Sequence, residues 1–105
     1  MTNPWRGEVS LVIDGEARAM RLSLGALATL EAELGEASLV AVIERFEQGR
    51  FSSADVLALL RAGLRGGRSG YDVGGLEHAE IEGGPMAAAR AAAELIARAF
   101  MVPGS

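Results

Sequence analysis

Cysteine is absent from this chain of 105 residues, which excludes a disulfide framework, a thiolate nucleophile and any cysteine metal site. Lysine is absent as well. All 10 basic residues are Arg, so a P-loop lysine and a Schiff base are both ruled out. Aromatic residues make up only 5%, against a hydrophobic fraction of 50% dominated by Ala and Leu, a helix-forming composition with few large anchors. Long uncharged apolar runs are missing too. The most apolar window, Met86 to Val102, places Arg90, Glu94 and Arg98 at spacings of four, which argues against a membrane span. Met1 to Gly7 has no basic stretch leading into an apolar core, so no signal peptide is read and the expected location is the cytoplasm. With 14 acidic residues the net charge is -4, and any nucleic-acid role would have to rest on a local patch.

The length suits one domain over 1–105, which buries roughly 65% of its unfolded surface and needs no staples. Val9, Leu11 and Ile13 alternate with Glu8, Ser10 and Val12, and Met20 and Leu22 alternate with Ala19 and Arg21. This period of two predicts a hairpin over 8–22, turning at Asp14-Gly15 with Val9 opposite Met20, Leu11 opposite Arg18 and Glu8 opposite Arg21. Ser23 caps a helix over about 24–34, whose face is Leu24, Leu27, Ala28, Leu30 and Leu34 and whose stop is Gly35. Ser38 caps a second over about 38–48, with Leu39, Val42, Ile43 and Phe46 on one side. Ser52 and Asp55 form a capping-box pair opening a third over about 53–65, with Phe51 placed to staple against Val56. Its expected buried face is Val56, Leu57, Leu59, Leu60 and Leu64.

The stretch 66–75 is half glycine and reads as a flexible loop. A short helix is expected over 76–82. After Gly83-Gly84-Pro85 a last helix is expected over 86–101, burying Met86, Ala89, Ala93, Ile96 and Phe100 and wetting Arg90, Glu94 and Arg98. The expected fold class is α+β: an N-terminal β-hairpin followed by about four α-helices packed as a small bundle.

Reactive groups are sparse. His78 is the only histidine, flanked by Glu77, Glu80 and Glu82, and without a second imidazole these residues read as an exposed polar segment rather than a metal site. No nucleophile elbow is present, and GGRSG lacks the Lys-Ser/Thr of a P-loop. Neither catalytic residues nor a cofactor are expected. Arg61, Arg65 and Arg68 recur at the end of the third helix, where three readings stand: a solvated helix end, the rim of a protein-binding surface, or a nucleic-acid patch. Glu31, Glu33, Glu36, Glu44 and Glu47 read as a solvated face. Trp5, next to Arg6, is either a lid on the core or an interface anchor.

The run Asn3-Pro4-Trp5-Arg6-Gly7-Glu8-Val9, then Ile13-Asp14-Gly15-Glu16, then Arg21-Leu22-Ser23-Leu24-Gly25-Ala26-Leu27-Ala28 and Leu30-Glu31, resembles the small tail assembly chaperone-like protein of bacterial gene transfer agents and related siphophages. Phe46, Gly49, Phe51-Ser52, Asp55-Val56 and Ala62-Gly63-Leu64-Arg65-Gly66-Gly67 continue the likeness, which covers residues 3 to 67. The resemblance implies a non-enzymatic assembly factor that binds the tape measure protein and the major tail tube protein during tail morphogenesis. A structural tail component and a nucleic-acid-binding regulator using Arg61, Arg65 and Arg68 are the alternatives. Self-association is compatible with either tail role. No small-molecule substrate and no membrane is implied.

Overall fold

The computed structural model describes residues 8–35, 39–67 and 73–99. Alternation of apolar and polar residues folds β1 (Val9–Ile13) antiparallel to β2 (Glu16–Met20), with Val9 opposite Met20 and Leu11 opposite Arg18, the register expected from the Asp14-Gly15 turn. Both turn residues have positive φ, 52° and 82°, as this turn class demands. Val9, Leu11, Ile13 and Met20 bury one face of the hairpin. Two strands cannot hold such a face dry alone. Here α3 (Ser53–Gly66) and α4 (Gly84–Ala99) cover it.

Helix α1 (Leu24–Leu34) starts and stops as expected: Ser23 Oγ accepts from the Ala26 N–H at 3.1 Å, and Gly35 closes the helix at φ 67°. Its buried face is narrower than expected. Leu30 is buried and Leu27 and Leu34 pack against the core, whereas Leu24 is 83% exposed and Ala28 is exposed. At 3.6 residues per turn these two stand roughly a quarter turn away from the other three. Gly25, in the first turn of α1, has open space where a Cβ would go. Gly25→Ala is therefore expected to stabilise the fold by about 0.5–1 kcal/mol, read as a raised urea midpoint at constant slope.

Helix α2 (Leu39–Glu47) buries Val42 and partly buries Ile43 and Phe46. The Arg50 N–H donates to the Arg45 carbonyl at 2.8 Å and the Gly49 N–H to the Phe46 carbonyl at 3.2 Å, a glycine-terminated stop with Gly49 at φ 69°. The Ser38 cap lies outside the described residues. The capping box at the start of α3 is complete, Ser52 Oγ accepting from the Asp55 N–H at 3.2 Å and Asp55 Oδ2 from the Ser52 N–H at 2.8 Å. Helix α3 is the centre of the fold. It buries Ala58, Leu59, Leu60, Ala62, Gly63 and Leu64, while Val56 and Leu57 of the expected face are only partly covered.

Four expectations need correction. Gly66 and Gly67 belong to the packed end of α3 rather than to a flexible loop: a Cβ on Gly66 would collide with the Arg21 carbonyl oxygen, and one on Gly67 with that of Ala19. Residues 68–72 lie outside the described residues. At its far end the same expected loop is ordered as a 3₁₀ helix, Val73–His78, whose Leu76 is buried. The helix expected over 76–82 stops at His78, because the outer edge of β1 offers backbone partners that a helix could not use. Glu82 N–H donates to Val12 C=O at 3.1 Å and Asp14 N–H to Glu80 C=O at 2.7 Å, with Ile81 bridging Ile13. Asp14 Oδ1 also accepts from the Glu80 N–H at 2.9 Å.

The fourth correction concerns α4. It starts at Gly84 rather than at residue 86, with Pro85 in its first turn, and its buried residues are Ala88, Ala91, Ala92, Leu95 and Ile96. Met86 is 73% exposed and Ala93 is exposed. The buried stripe is rotated by about 100°, one residue, from the expected one. Residues 87–93 are alanine except for Arg90, so they present little contrast between faces, and the bulk of Leu95 and Ile96 chooses the side. Phe100 lies outside the described residues.

Candidate functional site

A groove of about 570 Å³ lies between the first halves of α3 and α4, lined also by Leu76 of the 3₁₀ helix and by Ile81. Phe51, Val56, Leu57, Leu76 and Ala89 are among its walls, and Glu77 is the only charged residue lining it among the described residues. A smaller hollow of about 320 Å³ lies between α2 and α4, walled by Ile43, Phe46, Ala93, Ile96 and Ala97 with Glu47 as its only charged residue. Both are open to solvent. The rings of Phe46 and Phe51 stack with centroids 4.8 Å apart and planes 1° from parallel, joining the wall of one hollow to the wall of the other.

Behind this stack sits the most buried charge of the fold. Asp55 is 3% exposed, and Arg45 Nη2 of α2 donates to both of its carboxylate oxygens at 2.6 Å. The carboxylate thus caps α3 and tethers α2 at once. The capping role was legible in the Ser52-Asp55 spacing, whereas the tether, across ten residues and a turn, had no signal of its own.

The basic residues singled out from sequence do not line either hollow. Arg61 is half-buried on α3, and Arg65, one turn on, is half-exposed with Nη1 3.6 Å from Glu33 Oε1 of α1. An ion pair so exposed contributes less than about 1 kcal/mol. Trp5, Arg6 and Arg68 lie outside the described residues. His78, Glu77, Glu80 and Glu82 are all exposed, and no group of three His, Asp or Glu side chains converges on a metal-sized space among the described residues. Of the groove residues, Val56, Leu57, Leu60 and Ala89 had been read from sequence as buried. Their spacing marks them as apolar but carries no sign that α3 and α4 part.

What the arrangement can do chemically is hold an apolar surface. No helix among the described residues is long and apolar enough to cross a membrane. Neither the curated proteins nor the solved structures give a match to the chain. A family model described as phage tail tube protein, GTA-gp10, matches residues 6–102. That description names the tube, where the sequence resemblance pointed to an assembly chaperone. Matched over nearly its whole length, the chain belongs to this family of phage and gene transfer agent tail proteins.

Proposed function

We propose that the chain is a non-enzymatic tail assembly chaperone, acting in the bacterial cytoplasm, that holds a segment of the tape measure or tail tube protein during tail morphogenesis. The observation that carries this reading is the open apolar groove between α3 and α4, with one carboxylate and no basic residue among the described residues of its lining. The strand edges support the same reading. Copies that build a tube through continuous sheets need free edges, and here residues 80–82 engage β1 at Val12 and Ile13 while Ala19 of β2 lies against Gly67 at the end of α3.

Co-expression with the tape measure and tail tube proteins tests the proposal. At least one of them is expected to co-purify and to stay soluble where it aggregates alone. Loss of neither solubility nor yield when the chain is omitted would overturn it. The family description favours a second reading, a structural tail component. Stoichiometric copies in purified particles would establish that reading, and their absence the chaperone.

A further inference from the structure

The outer flank of α4 is apolar yet faces solvent. Met86, Ala93 and Ala97 are exposed and Ala89 is half-buried. On the helical wheel the four fall within about 80° of one another, between the buried Ala88–Leu95 side and the wet side carrying Arg90, Glu94 and Arg98. Both hollows open onto this flank. The larger uses Ala88 and Ala89 as its α4 wall and the smaller uses Ala93 and Ala97, one and two turns further on. Of the two stacked rings, Phe51 lines the larger hollow and Phe46 the smaller. From Pro85 to Ala97 the strip runs for about 18 Å at 1.5 Å per residue, the length of a helix of three turns or more. Alanines along it allow a second helix to come close.

Charge selects among occupants. Glu77 and Glu47 are the only charged residues lining the two hollows among the described residues, and the whole chain carries -4. Arg98 is drawn toward Glu94 at 3.8 Å, and neither Arg90 nor Arg98 is among the described residues that line the two hollows. A second copy of the chain would bring its own negative charge to this surface. We propose that the strip seats a cationic amphipathic helix of the partner protein, its apolar residues at i, i+3, i+4 and i+7 against Ala89 and Ala93 and its Lys or Arg residues toward Glu47 and Glu77. The inference rests on the assembly-factor reading and adds the chemistry of the segment that is held.

Fluorescence anisotropy at about 0.15 M salt tests it with three labelled peptides of about 18 residues, long enough to sustain a helix. One carries Leu at i, i+3, i+4 and i+7 with Lys between, the second is its scramble of equal composition, and the third has Glu for Lys. The full chain is expected to bind the first saturably and the others at least about tenfold more weakly. Ala93→Arg, at an exposed position, should weaken the first peptide by about tenfold, and Glu47→Lys with Glu77→Lys should turn the preference toward the Glu peptide. Equal binding of the scramble, or no binding, overturns the proposal. So does a dimer of the free chain that Ala93→Arg converts to monomer, or peptide binding that appears only when residues 100–105 are removed. Tail proteins that still co-purify with the Ala93→Arg variant would sink the strip and leave the assembly role standing. Peptide binding without any co-purifying tail protein would sink the assembly role and the partner assigned here.

Discussion

Gly66→Ala is expected to destabilise the protein by about 2–3 kcal/mol, lowering the melting temperature by roughly 10–20 °C for a domain of this size. Helix propensity alone predicts the opposite sign, since Gly66 is the last residue of α3 and alanine is favoured over glycine in a helix by about 1 kcal/mol. Space decides against it. The added methyl would run into the Arg21 carbonyl oxygen and lie 3.2 Å from the Ser23 nitrogen, and both are backbone atoms with no rotamer to escape into. Arg21 is also pinned from the other direction, its N–H donating to the Gly63 carbonyl at 2.8 Å, so the link between β2 and α1 cannot retreat. Calorimetry of Gly66→Ala beside Gly25→Ala makes the contrast internal: one helical glycine with backbone against it, one with open space. An unchanged or raised melting temperature for Gly66→Ala would show that the end of α3 does not press on β2 as described.

Asp55→Ala should cost about 2–3 kcal/mol in chemical denaturation. Loss of the cap contributes about 1 kcal/mol. Breaking a buried ion pair typically costs about 3–5 kcal/mol, but the Arg45 side chain is 29% exposed, so water screens and partly rehydrates it and the smaller figure applies. Asp55→Asn separates the two roles, since the amide oxygen can still accept from the Ser52 N–H while the charge is gone. Its expected cost is about half as large. A double-mutant cycle with Arg45→Met should return a coupling energy above about 1 kcal/mol. Coupling near zero would mean that the carboxylate serves the cap alone.

The hairpin, the caps of α1 and α3 and the order of the elements were legible because each rests on short-range chemistry: Asp14-Gly15 tolerates positive φ, Ser23 and Ser52 supply acceptors to free N–H groups, and Gly35 adopts the left-handed turn. What was misread depends on neighbours distant in sequence. Gly66-Gly67 looked like a breaker because glycine frees the chain, yet the backbone of Arg21, just after β2, leaves no room for a Cβ on Gly66, and that of Ala19 none on Gly67. The face of α4 was misassigned because alanine is nearly indifferent to burial, so a run of it cannot announce a side. The segment 76–82 looked helical only while the open edge of β1 was out of view. The groove was legible as a set of apolar residues and illegible as a space, since a space is made by elements that part. Among the five residues proposed for partner binding, Arg61 and Arg65 stand away from it on α3.

The clasp of residues 80–82 on the hairpin tip has a consequence in time. The partners Asp14 and Glu80 are 66 residues apart. A ribosome adding about 5–20 residues per second completes residue 82 on the order of 3–14 s after Asp14. During that interval the first element made is a two-stranded ribbon with an unpaired outer edge, marginal in water and able to pair with any other extended chain. The last third of the chain thus does for the nascent hairpin what the finished protein is proposed to do for its partner: it keeps an adhesive surface occupied.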